Sequence, residues 1–432
     1  MPDCFEPLSL PNGVHIANRI CKAAMEENLC DAGQIPGQKL ERLYQHWSVG
    51  GVGLILTGNV MVSADALTGP GGVVLHKSQP LEPFKRWASA AKSGGAKVFM
   101  QINHPGRQVY KSMGEQAVAP SAIALNIPGF SSMFSQPKAL SSQEIAQIIQ
   151  QFTDSAVLAE QAGFDGCQIH AAHGYLISQF LSPLTNIRND EWGGSLANRA
   201  RLLFKVVQSV RANVSSNFCV SVKLNSADFQ KGGFDEKDAK WVIEQLNTMQ
   251  VDLLELSGGN YESPAMQGSE VNKAKDSTQI REAYFIEFAQ ELAQCATMPV
   301  MVTGGIRKLS VAQGALHNEN AEIKGIDMIG IARALAFNPQ LVNDWQQGRS
   351  FVVDLPSLKW KNKTFAALGM MAITKDQLNR LSKQEPSAEK EPSAKREQKP
   401  SKLKINPILA IIKDRIKTKL RTRRYRQWRR SS

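Results

Sequence analysis

His170, His173 and Tyr175 crowd one short stretch of this 432-residue chain, just past an apolar, strand-like run that ends at His170. Two neighbouring imidazoles supply N–H donors able to hold the oxygen of a carbonyl or a phenolate. They would stabilise the charge that develops on that oxygen when hydride reaches the β-carbon of an enone. A tyrosine two residues on can act as general acid toward the neighbouring carbon. The same residues admit two other readings. They fit ordinary histidines at a loop end, and they fit a metal pair completed by His104, although no carboxylate or cysteine stands at metal spacing.

Other candidates also fall at the ends of apolar runs. Ala24-Met25-Glu26 follows the first, Thr57-Gly58 the second, and Gln101 lies in the third with His104 and Arg107 just beyond. Lys223 closes the fifth, where a cation is expensive to bury without a partner. It is either half of a structural salt bridge or a positive charge beside the N1/O2 end of a flavin, stabilising the anionic reduced ring. Gln101 carries a donor and an acceptor on one amide, which matches the edge of such a ring. Gly304-Gly305 follows the seventh run and Gly330-Ile-Ala332-Arg333 the eighth. Freed backbone N–H groups, the start of a following helix and Arg333 as countercharge would hold a phosphate. A Gly-Gly turn on its own serves loop geometry equally well.

Such positions need a frame that brings strand ends together. Candidate strands lie at 19–25, 53–58, 97–103, 166–170, 219–224, 253–257, 300–303 and 327–331. Candidate helices lie near 39–50, 80–94, 141–163, 195–213, 235–249, 280–296, 308–317 and 338–347. In the 195–213 run Leu196, Leu203, Val206, Val207 and Val210 share one face, as a helix docked on a sheet requires. Continuously apolar strands alternating with helices imply a parallel sheet with both faces covered. Eight such units are the number that closes a (β/α)8 TIM barrel, whose reactive groups sit at the C-terminal ends of the strands. A doubly wound open sheet would show a Gly-rich turn after its first strand, and Ala23-Ala-Met-Glu-Glu27 is no such turn.

Composition suits an α/β enzyme, with 42% hydrophobic residues and 32 glycines. The six cysteines are scattered and form no C-x-x-C pair, which argues against a zinc or iron–sulfur site and against a disulfide framework. The opening residues lack the regions of a signal peptide, and no apolar run is long enough to span a bilayer, so the chain reads as cytoplasmic. Residues 402–432 hold twelve Lys or Arg against one acidic residue, Asp414, so nearly all of the formal charge of +12 belongs to this end.

Residues 5–350 resemble the Old Yellow Enzyme family of FMN-dependent reductases. The resemblance rests on Leu10-Pro-Asn-Gly13 with Asn18-Arg-Ile20, on Gln101-Ile-Asn-His-Pro-Gly-Arg107, and on the long segment from Ile169 to Arg199. It rests also on Val302-Thr-Gly-Gly-Ile-Arg307 and Gly330-Ile-Ala-Arg333. It implies that Ala24, Met25, Gly58, Gln101, Lys223, Gly304, Gly305, Ala332 and Arg333 contact FMN. His170 and His173 would bind the substrate carbonyl and Tyr175 would donate the proton. NADH or NADPH would be the reductant, and the substrate a small electron-poor alkene. Three positions depart from the family pattern: Glu26 stands where Thr or Cys is common, Lys223 replaces the usual Arg, and Trp192 replaces a Tyr. Glu26 keeps open an oxidative demethylase or dehydrogenase reading on the same flavin. A reading from another class is a catalytically idle barrel acting as a membrane or nucleic-acid adaptor.

The organisation expected is a barrel over 1–352, an irregular barrel-edge extension over 353–383, a disordered linker over 384–402 and a basic amphipathic tail over 403–432. The linker repeats Glu-Pro-Ser-Ala and is too polar to bury a core. In the tail Ile408, Ile412, Ile416 and Leu420 recur every four residues among Lys and Arg. Such a helix suits an anionic membrane surface, with Trp428 at the interface. A solvated extension is the plain alternative. Nucleic acid is the weaker reading, because holding phosphates does not need the Ile/Leu stripe.

Overall fold

Eight short parallel strands close on themselves. They are β1 (Ile20–Lys22), β2 (Leu54–Leu56), β3 (Lys97–Asn103), β4 (Gly166–Ala171), β5 (Cys219–Asn225), β6 (Leu253–Ser257), β7 (Val300–Thr303) and β8 (Met328–Ile331). Each pairs with the next, and β8 pairs with β1 to complete the ring. The structure is a computed structural model that describes residues 3–127, 129–257, 286–317, 324–349, 352–353, 355–358, 360, 362–386 and 406–431.

Nearly every strand residue is buried, because helices cover the outside and side chains fill the inside. The outer ring comprises α1 (Gln38–Val49), α2 (Glu82–Lys92), α3 (Ser142–Gln161), α4 (Leu196–Asn213), α5 (Glu236–Leu246), a helical stretch over 286–293, α6 (Leu309–Leu316) and the short Leu341–Gln346. Local signals start several of these. Ser141 and Glu144 form a reciprocal capping box on α3, Ser195 caps α4 and Asp235 caps α5.

Alternate strand residues point inward, and the interior is graded along the barrel axis. Cys21, Leu54, Phe99, Cys219, Leu253, Met301 and Met328 fill one end together with Leu8, Leu10 and Ile16, which lie at an N-terminal hairpin. Two residues further along the strands the inward positions turn polar, with Gln101, Gln168 and Glu255 all buried. This gradation fixes the C-terminal ends as the chemical end.

The stretch after the barrel departs from its expected irregular form. The stretch 353–383 is largely helical, because α7 (Lys363–Leu381) packs against α1, capped by the Asn362 side chain. Its apolar residues do not form a clean stripe, since neighbours lie on more than one side. Most of the linker lies outside the described residues, but its first residues are tied down. His46 Nε2 lies 3.1 Å from the carbonyl of Gln384, and Arg42 pairs with Glu385 at 2.5 Å.

The tail forms α8 (Pro407–Ser431), and it is docked rather than free. Ala410 packs on Ala372 and Ile373 of α7, and Lys417 pairs with Asp376 at 3.7 Å. Further along, Tyr425 is buried among Met61, Leu67, Val109 and Met113, its one hydroxyl proton shared between two acceptors, Ala64 O at 2.8 Å and Glu115 Oε1 at 2.9 Å. Arg429 reaches Glu115 at 3.1 Å and also bonds Asp65. Trp428 packs with this cluster rather than facing outward, so it does not take the interfacial place expected for it. No helix among the described residues is long and apolar enough to cross a membrane.

Candidate active site

At the end of β4 the chain turns through His173 in a left-handed conformation, φ 60°, uncommon outside Gly and taken more readily by Asn, Asp and His than by other residues. The turn is held from a neighbouring strand: the His173 N–H donates to Asn225 Oδ1 at 3.0 Å. It brings the His173 ring against that of His170, with centroids 5.1 Å apart, and the Tyr175 ring edge-on to His170 at 4.8 Å. The three residues singled out in the sequence therefore meet in space.

Their protonation follows from their surroundings. Burial, then the charges of His173 and Lys223, drive His170 well below the usual histidine pKa. Burial and Lys223 do the same to His173. Both rings are neutral donors near pH 7. The Ala172 N–H donates to His170 Nδ1 at 3.2 Å, which places the ring proton on Nε2. His173 Nε2 lies 2.8 Å from the Ser257 hydroxyl at the end of β6. The Tyr175 hydroxyl accepts from Asn59 Nδ2 at 3.2 Å. His104 stands apart from this arrangement. Its Nδ1 accepts from the Gly106 N–H at 3.1 Å, and burial pushes its pKa down to about 3. Among the described residues no three His, Cys, Asp or Glu are grouped to hold a metal.

Below the imidazoles a polar chain crosses the barrel. Gln101 Nε2 donates to Gln168 Oε1 at 2.7 Å, Gln168 Nε2 to Glu255 Oε2 at 2.8 Å, and Lys223 Nζ to Glu255 Oε1 at 2.7 Å. Lys223 is thus paired, and its partner is a carboxylate that the sequence reading missed. Gln168 and Glu255 were visible as lone polar residues within apolar strands, the signal that should have marked them. Asn225, Ser257 and Asn59 were missed as well, being common loop-end types.

The mouth end of β1 and β2 is equally fixed. Glu27, buried, accepts from Lys22 Nζ at 3.3 Å and from the Tyr44 hydroxyl at 2.7 Å, and Tyr44 in turn accepts from the Gly58 N–H at 2.8 Å. Lys22 lies over the Trp47 ring, 4.3 Å from its centroid. A Cβ on Gly58 would stand 2.0 Å from Glu27 Oε2, so packing alone demands glycine there. Ala24, Met25 and Glu26 follow β1 half-buried, and the Thr68 hydroxyl bonds the Glu26 carboxylate.

At the ends of β7 and β8, Gly304 and Gly305 are exposed, and Ala332 caps the short helix Arg333–Phe337. Arg333 reaches solvent, yet crowding by surrounding protein and then the charge of Arg307 hold its guanidinium below its ordinary pKa. The buried Thr303 hydroxyl beside Gly330 has no partner, and the Asn103 amide at the end of β3 has none either. Two cations within electrostatic reach of one another past the ends of β7 and β8 fit a phosphate. A polar floor with an unsatisfied amide above it fits a planar ring rich in donors and acceptors.

The remainder of the segment to Arg199 builds the loop. Asn186 Nδ2 donates to the carbonyls of Phe180 and Trp192, both at 2.8 Å, and Arg199 Nε to Leu181 O at 2.8 Å.

Residues 3–351 match the NADH:flavin oxidoreductase / NADH oxidase family. The chain is 37% identical over 356 residues to the NADH-dependent flavin oxidoreductase iliE of Hypocrea jecorina, covering 78% of this chain and 86% of that one. It is 32% identical over 349 residues to an NADH:fumarate oxidoreductase of Klebsiella pneumoniae, and there it spans only 35% of the relative's length. In fold it is similar to morphinone reductase, with a TM-score of 0.67 at 22% identity over 82% of this chain and 92% of that one. The chain belongs to the NADH:flavin oxidoreductases of the Old Yellow Enzyme family and is an NAD(P)H-dependent FMN oxidoreductase.

Proposed function

We propose that this enzyme reduces the C=C bond of an α,β-unsaturated carbonyl compound gripped by His170 and His173. The observation that carries the reading is the meeting of two neutral imidazoles with the Tyr175 ring at one strand end. Bound FMN supplies the hydride, taken from NADH or NADPH. The protein's part is to hold and polarise. His170 Nε2–H and the His173 ring donate to the carbonyl oxygen, where charge develops as the β-carbon is reduced, and donors fixed in a dry site need little reorganisation. Tyr175 protonates the α-carbon, its hydroxyl steered by Asn59. Arg333 with Gly304, Gly305 and Ala332 would hold the FMN phosphate. Gln101 and Lys223 would meet its ring, with Ala24, Met25 and Gly58 along one edge. That a relative is named for fumarate, itself an electron-poor alkene, agrees with this substrate class.

The test is the long-wavelength charge-transfer band of phenol bound to the oxidised enzyme. Replacing His170 and His173 together with Ala should abolish it while FMN stays bound; a band that survives removes both residues from the grip. An oxidative reading draws on Glu26, fixed near the mouth by Thr68. Anaerobic turnover with enones against amines decides between them. We further infer that the basic stretch 403–432 works at an anionic membrane surface on the cytoplasmic side.

A further inference from the structure

Large apolar side chains left in solvent are not scattered over this barrel. Outside residues 352–431, the exposed ones among the described residues are Met133, Leu184, Ile187 and Phe229. Each sits on a loop that leaves the C-terminal end of a strand: Met133 after β3, Leu184 and Ile187 after β4, Phe229 after β5. Among the described residues the outer faces of α1 to α6 and the hairpin-closed end carry none.

The other half of the same rim holds α8. Arg421 lies within electrostatic reach of Cys30, after β1, and Tyr425 and Arg429 are anchored on the loops after β2 and β3. The face of α8 turned away from the barrel exposes Ile408, Leu409, Ile412, Ile416 and Leu420. Among them stand exposed Lys413, Arg415, Lys419, Arg423, Arg424 and Arg430, and the helix has no exposed acidic residue. A cationic helix with an unburied aliphatic stripe is built to lie in the interface of an anionic bilayer. Apolar loop tips gathered on that same rim extend the surface around the mouth.

Resting on the alkene-reduction reading, we propose that the barrel docks mouth-first on an anionic lipid surface, α8 and the loops after β3, β4 and β5 entering it together. The enzyme then draws an amphiphilic electron-poor alkene from the lipid interface.

The test uses the full-length protein loaded with FMN. Ile187→Cys, Ile416→Cys and, at the opposite end of the barrel, the exposed Thr248→Cys are each labelled with an environment-sensitive fluorophore, the unsubstituted chain serving as the blank. Vesicles of phosphatidylcholine with phosphatidylglycerol should blue-shift the labels at 187 and 416 and leave 248 unchanged. Pure phosphatidylcholine should shift none. A shift at 416 alone makes α8 a mere tether and overturns mouth-first docking, as does any pattern that includes 248. No shift at any position, or a shift with RNA in place of vesicles, overturns the membrane itself. Ile412→Glu with Ile416→Glu should weaken vesicle flotation by about tenfold or more, with turnover of a water-soluble enone unchanged. Failure to reduce any enone would sink the alkene reading alone, because the labels report docking without catalysis.

Discussion

Lys223 on β5 and Glu255 on β6 stand opposite one another in register, and their side chains meet at 2.7 Å with neither exposed to water. Removing one partner of such a pair strands a buried charge, which costs about 3–5 kcal/mol. Glu255→Ala should lower the unfolding midpoint accordingly and weaken FMN retention. Lys223→Met combined with Glu255→Leu should recover most of the stability but not the flavin affinity. Recovery of both in the double variant would separate this pair from the cofactor.

Acid should destabilise the fold through its buried histidines. Burial holds His104 at about 3 and holds His170 and His173 well below the ordinary value near 6.5. Because the folded values are depressed, their stabilisation is complete above about pH 6.5. It is lost as pH falls from there through the folded values, since the unfolded chain takes up protons first. Urea midpoints at pH 8 and pH 5.5 should differ, with the lower midpoint in acid. Equal midpoints would show that these rings protonate freely in the folded protein.

His173 combines a left-handed backbone with a donor side chain. Asn tolerates that backbone and still donates, whereas Ala and Gln meet the full steric cost, about 1 kcal/mol. His173→Asn should therefore bind phenols more tightly than His173→Gln, as read by titrating the charge-transfer band. The reverse order would mean that side-chain reach outweighs the turn.

Arg333, exposed just past β8, is the cation proposed above for the FMN phosphate. Arg333→Gln should raise the dissociation constant of FMN by about tenfold or more, the loss expected for one charge-assisted pair. Riboflavin, which has no phosphate, should bind both forms alike. Equal loss for riboflavin would place Arg333 at the ring instead.

Tyr425 is the plug that seats α8. Tyr425→Phe keeps the ring and loses the one proton that Ala64 O and Glu115 Oε1 share, about 1 kcal/mol, while Tyr425→Ala empties the pocket. Trypsin, which cuts after Lys and Arg, should cleave 413–430 slowly in the native chain, faster in the Phe variant and fastest in the Ala variant. Uniform cleavage would show that the helix is not held by this residue.

The barrel was legible because parallel strands covered on both sides are short apolar runs, and all eight stand within a few residues of their expected bounds. The meeting of the His170, His173 and Tyr175 rings was legible because the three are neighbours in sequence. What links strands far apart in the chain was not: Lys223 needs a partner, but nothing local says that Glu255 supplies it. The docking of α8 was hidden for a related reason. Its periodic Ile/Leu stripe is the face left in solvent, whereas its contact with the barrel depends on Ala410, Tyr425 and Trp428, which show no simple period.

The chain of contacts from Lys22 through Glu27 and Tyr44 to the backbone of Gly58 also bears on how this enzyme can change over evolutionary time. Tyr44 belongs to an outer helix, yet its loss would free a backbone amide at the mouth and leave Glu27 facing Lys22 alone. These four positions should drift as a linked set or not at all. In a mutant library, single exchanges at any of them should be depleted together, and survivors should carry compensating pairs. Redesign of substrate choice is better begun on the loop after β5, where Asp228 bonds within the rim, to Asn225 and to the Phe234 N–H.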